Sequence, residues 1–94
     1  MITTKLFHVT TQEKAKLYRQ TGRIKGPVCG FDTLSAAMFW AMKTRRTVIY
    51  EFYSDEPQNL NENHNQFGYA YWNEGDVLYK DINCVVSANN SKKL

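Results

Sequence analysis

The sequence predicts an α+β domain: a small mixed or antiparallel sheet carrying two helices, in the order β-α-β-α-β-loop-β-β. Three observations predict it. "KLFHV" and "TVIYEFY" are short β-rich runs with two-residue alternation. "TTQEKAKLYRQTG" and "DTLSAAMFWAMKTRR" are longer, open on residues that cap helices and end in glycine or basic residues. The stretches between them are rich in Gly, Pro, Asn and Asp, the residues of turns and loops.

Taken in order, "KLFHV" is the first strand. Helix 1 follows over about residues 11 to 21, with Thr10 and Glu13 at capping-box spacing and Gly22 as the stop. "RIKGPVCGF" is too short, and too interrupted by Gly26, Pro27 and Gly30, for a helix, so it is an extended segment with irregular backbone. Helix 2 starts after Thr33 or Ser35 and ends among Lys43, Arg45 and Arg46, where the macrodipole favours cations.

The next strand places Val48, Tyr50 and Phe52 on one face and Ile49, Glu51 and Tyr53 on the other. "SDEPQNLNENHNQ" has no periodicity and reads as a long surface loop, a common place for ligand contacts. "FGYAYW" and "DVLYKDINCVV" are two closing strands separated by the turn "NEG". Residues 1–88 form one compact domain and 89–94 a polar tail.

The chain has 94 residues, 43% of them apolar, which is enough for one core. No apolar run has signal-peptide length or approaches the ~18 residues of a membrane span, so the expectation is a soluble cytoplasmic protein without membrane contact. Cys29 and Cys84 read as free thiols, and without a CxxC motif, with His8 and His64 in dissimilar settings, no metal site is expected.

The net charge of +3 hides an asymmetry. Residues 1–50 carry nine Lys or Arg against Glu13 and Asp32, whereas residues 51–94 carry three Lys against seven acids. A basic half suits an anionic ligand, and it is equally what solvated helix faces look like.

Three pieces then stand in sequence: "FHVTT" on the first strand, "GFDTLSAAMFWA" running into helix 2, and "NEGDVLY" at the head of the last strand. Together they resemble the ADP-ribosyltransferase superfamily. In that family an early strand carries a His followed by a small or hydroxylated residue, a glycine-aromatic segment leads into an aromatic-Ala helix, and a late strand opens on an acidic residue. Its small members, the RNA 2'-phosphotransferases and the nucleic-acid-modifying ADP-ribosyltransferase toxins, are the most similar in character.

The resemblance implies a small NAD-using mono-ADP-ribosyltransferase, with NAD as substrate and a protein or nucleic acid as acceptor. His8 would hold a ribose hydroxyl, and Thr10 would help at the nicotinamide end or turn the chain. Phe31, Phe39 and Trp40 would offer the nicotinamide an aromatic surface, although a helix-2 core needs the same residues. Arg23, Arg19, Arg45 or Arg46 would meet the pyrophosphate.

The acidic position admits two registers, Glu74 or Asp76. Cleavage of the nicotinamide-ribose bond builds positive charge on the sugar, which a carboxylate stabilises. Aspartate is one methylene shorter, and a misplacement on the order of 1 Å costs ~100-fold in rate, so Glu74 is the stronger choice. The chain is short, however, phenylalanines and tryptophan stand where the family commonly has tyrosine, and Trp72 is an unusual neighbour for the acid. The competing expectation is a non-catalytic module of the same type, a phage or mobile-element accessory that engages nucleic acid or a host protein through its basic N-terminal half. Phosphate transfer on RNA is a third reading, and would need arginines such as Arg23, Arg45 and Arg46 to converge.

Overall fold

A computed structural model describes residues 3–55, 57–59 and 70–87. Strand β1 (Thr3–Thr10) leads directly into helix α1 (Gln12–Thr21). The helix is capped by Thr11, whose side-chain oxygen accepts from the Lys14 backbone N–H at 3.2 Å, and it ends on Gly22 in the left-handed region at φ 78°. Thr10, expected as the cap, belongs to β1 instead and is buried. The chain needs a hydroxyl one residue later because β1 stays extended through its pairing with the next long strand.

The irregular segment resolves into β2 (Arg23–Ile24) and β3 (Val28–Phe31), joined through a cis Gly26–Pro27 peptide. Helix α2 (Leu34–Thr44) is capped by Thr33, which accepts from the Ala36 N–H at 3.2 Å, and it ends on Arg45 in the left-handed region. Strand β4 (Val48–Asp55) follows, then β5 (Gln58–Asn59) and β6 (Ala70–Asn73). Most of the expected loop, including His64, lies outside the described residues.

The last expected strand is broken in three. Val77–Leu78 forms β7, Tyr79–Asp81 a 3₁₀ turn, and Asn83–Ser87 strand β8. The break lets one segment serve two sheets. β7 pairs with β2 in a two-stranded sheet, while β8 joins the six-stranded sheet β5-β6-β3-β1-β4-β8, whose paired strands are antiparallel.

Both faces of the large sheet are covered, as the mixed burial of β4 requires. On one face Leu6, Tyr50 and Phe52 pack with Ala15 and Tyr18 of α1 and with Ile24, Val77 and Ile82. On the other, Phe7, Val9, Phe31 and Ile49 pack beneath Ala36, Ala37 and Ala41 of α2. Small alanines on α2 let its backbone approach the sheet closely, which leaves its bulkier residues on the outer side.

Candidate functional site

His8 stands on the α1 face of β1, directly across from Tyr50 of β4, which in turn pairs with Cys84 of β8. Its imidazole Nδ1 lies 2.7 Å from the Cys29 carbonyl oxygen and its Nε2 lies 3.2 Å from the Tyr18 hydroxyl. A carbonyl only accepts, so Nδ1 carries the proton and donates. Nε2 is therefore the acceptor for the Tyr18 O–H, and the Thr10 hydroxyl, 3.3 Å away, can donate to the Tyr18 oxygen. The result is a continuous chain from Thr10 through Tyr18 and His8 to the backbone of β3.

Burial pushes the His8 imidazole below its ordinary pKa of 6.5. The bond to Cys29 opposes that shift, while the charges of Lys14 and Arg46 add to it. His8 is thus a neutral residue at pH 7. Around it lies a set of aromatic rings: Tyr18 is 6.0 Å from His8 and 6.2 Å from Tyr50, and Tyr50 is 6.2 Å from Tyr79 in an edge-on arrangement. Burial, then the neighbouring Tyr79 and Cys84, push the Tyr50 phenol up to about 12, with Arg19 pulling the other way.

The acidic turn is built quite differently. Both carboxylate oxygens of Asp76 are engaged, one by the Arg23 guanidinium at 3.0 Å and the other by the Gly26 N–H at 2.7 Å. Two residues expected at the site, Asp76 and Arg23, therefore hold the β2–β7 sheet to the cis-proline turn. Gly26 has no room for a side chain, since a Cβ there would lie 2.6 Å from the backbone of Glu74 and Gly75. Asn73 fixes the same turn by accepting from Ser54 of β4 at 2.6 Å and donating to the Gly75 carbonyl at 2.7 Å. Glu74 projects from this turn and is exposed.

Ser54 shares the face of β4 that carries Tyr50 and Phe52, four residues along from Tyr50. At about 3.3 Å per residue, the turn holding Glu74 is anchored on the order of 13 Å along the strand from the level of His8. The fully buried pair Leu6 and Phe52 fills the space between those two levels. His8 and Glu74 thus belong to one side of the sheet, with a layer of core between them along the strands.

The aromatic residues expected to share a cleft with His8 are divided from it by the sheet. Phe31 is buried on the α2 face, 6.0 Å from Trp40, which packs against the same cluster. Phe39 points outward, 54% exposed, in a shallow groove with Ser35, Met38 and Met42. The expectation that His8, Thr10, Phe31, Phe39 and Trp40 line one pocket is corrected accordingly: odd and even positions of β1 face opposite ways, and α2 covers the odd side.

Tyr18 and Tyr50, which neighbour His8, and Tyr79, which packs against Tyr50, were not singled out by the sequence as site residues. Two signals were available. Tyr50 stands on the apolar face of the clearest strand, and Tyr18 falls three residues after Ala15 on the buried stripe of α1.

What does converge near His8 is positive charge. Thr10, at the end of β1, pairs with Val48, at the start of β4, so Lys14 in the first turn of α1 and Arg46 just before β4 stand at the same end of the sheet. Ser87 pairs with Val48 from the other side and accepts a hydrogen bond from Gln12 at 3.3 Å. Burial pushes the Cys29 thiol up, away from nucleophilic use. Among the described residues, no three His, Cys, Asp or Glu side chains are grouped so as to hold a metal ion, and no helix is long and apolar enough to cross a membrane. Comparison with family models, curated proteins and solved structures gives no match to this chain.

Proposed function

We propose that the chain is a non-catalytic binding module of the ADP-ribosyltransferase-like type, and that it engages nucleic acid through the basic end of its sheet. The observation that carries this reading is that Lys14, in the first turn of α1, and Arg46, in the link between α2 and β4, both act on His8. The first turn of α1 adds the positive end of its dipole there, and Arg45 adjoins. The chain leaves β8 at the same end, where Ser87 pairs with Val48. Cations drawn together from separate elements raise the local concentration of phosphates and release counterions when they bind.

The site residues support binding over catalysis. His8 is occupied on both ring nitrogens, Asp76 on both oxygens, and the aromatic residues lie across the sheet. The test is fluorescence anisotropy with labelled single-stranded and duplex RNA and DNA over a range of salt. Binding that weakens steeply with salt, weakens further in a Lys14→Ala/Arg46→Ala double variant, and persists in Glu74→Gln supports the module.

One observation favours the second reading, an NAD-using transferase acting on a macromolecular acceptor: His8, Thr10 and the turn bearing Glu74 all lie on the same side of the large sheet. That reading requires millimolar NAD to raise the melting temperature, and His8→Ala to abolish the rise. No rise with NAD removes it.

A further inference from the structure

The outer face of α2 carries Met38, Phe39 and Met42, with Phe39 54% and Met42 74% exposed, and Leu34 lies beside them. Ser35, Met38, Phe39 and Met42 line a shallow groove of about 220 Å³. Their spacing of three, one and three residues is that of a helix–helix seam. It is also symmetric about the point midway between Met38 and Phe39. A two-fold axis through that point lays α2 antiparallel on a copy of itself. Ser35 then faces the partner's Met42, and Met38 faces the partner's Phe39.

The same operation brings charge into register. Asp32, just before the cap of the helix, and Arg45, at its end, flank α2 symmetrically about the same point, so the operation brings each Asp32 toward the partner's Arg45, twice over. The two helix dipoles also run in opposite senses, which is favourable for neighbouring helices. Shape period, two-fold symmetry and charge all select the same occupant.

We infer that the outer face of α2 is a self-association surface, on which a second copy of this chain docks antiparallel through Met38, Phe39 and Met42 with reciprocal Asp32–Arg45 pairs. Arg45 also adjoins the basic end of the sheet, so Phe39→Glu and Met42→Glu, which leave every cation in place, separate self-association from nucleic-acid binding. A stripe of four residues per copy is small for a specific interface, so the association is weak and reversible.

Sedimentation equilibrium on the full chain tests it, with concentrations spanning roughly micromolar to millimolar, the range of weak association. The wild type is expected to move reversibly from monomer to dimer. Phe39→Glu and Met42→Glu should each weaken the dimer at least about tenfold, and Met42→Glu, at a side chain 74% exposed, should leave the melting temperature nearly unchanged. Asp32→Arg and Arg45→Asp should each weaken it by placing like charges together. The double variant Asp32→Arg/Arg45→Asp should recover it, and aspartate tolerates the left-handed backbone at position 45. A monomer at every concentration overturns the inference, as does a dimer that survives Phe39→Glu and Met42→Glu. Failure of the double variant to recover association overturns the antiparallel arrangement.

Discussion

The Tyr18 hydroxyl lies 3.2 Å from Nε2 of His8, so a residue on α1 satisfies the ring nitrogen that the Cys29 carbonyl leaves as an acceptor on the central strand. The imidazole is held as a neutral acceptor toward Tyr18 and a donor toward Cys29. Tyr18→Phe deletes the hydroxyl and leaves His8 and the buried Thr10 without that partner. The expected cost is about 1–3 kcal/mol, read from chemical denaturation with the slope unchanged. A change within error of zero contradicts the hydrogen-bond chain.

The lowered pKa of His8 makes stability depend on pH in a known direction. The unfolded chain takes up a proton as pH falls past about 6.5, whereas the folded chain resists until a lower pH. The His8 contribution is therefore complete above about 6.5 and is lost progressively below it. Comparing melting temperatures of the wild type and His8→Gln from neutral to mildly acid pH isolates this contribution. The wild type should fall more steeply.

Tyr50 makes the opposite prediction at the alkaline end. Its folded pKa of about 12 exceeds the ordinary value of 10, so the unfolded chain loses the proton first. Stability from this group is complete below about 10 and is lost as pH rises toward 12. In Tyr50→Phe the alkaline loss of stability should be shallower, and the phenolate absorbance titration should lose its latest component.

Asp76 and Gly26 are expected to behave as structural residues. Asp76→Ala removes bonds to Arg23 and to the Gly26 N–H and should cost about 1–2 kcal/mol of stability. Gly26→Ala drives a methyl group into the 74–75 backbone, which has no flexible side chain to yield, and should cost about 1–3 kcal/mol. Parallel denaturation curves check both. If Asp76→Ala left stability intact while abolishing NAD binding, Asp76 would belong to a nucleotide site instead.

The parts of the fold that were legible in the sequence are those fixed locally. Gly22 as the stop of α1, Thr33 as one of the two candidate caps of α2 and the alternation of Val48, Tyr50 and Phe52 depend on near neighbours, and each is found. The break of "DVLYKDINCVV" into β7, a 3₁₀ turn and β8 was not legible, because it depends on β2 and β4 claiming different ends of the same run. Thr10 and Thr11 are chemically equivalent as caps, and only the length of the β1–β4 ladder chooses between them. The candidate site was less legible still. Whether an aromatic residue on α2 meets a histidine on β1 depends on which face each occupies, and the motif order along the chain carries no information about that.

Fluorescence anisotropy of a labelled oligonucleotide against salt tests the proposed role. The slope of log affinity against log salt should be clearly negative in the wild type and shallower by about one to two in Lys14→Ala/Arg46→Ala, as expected for one or two lost phosphate contacts. A flat salt dependence, or a slope untouched by removing both cations, would contradict a nucleic-acid interface at this end of the sheet.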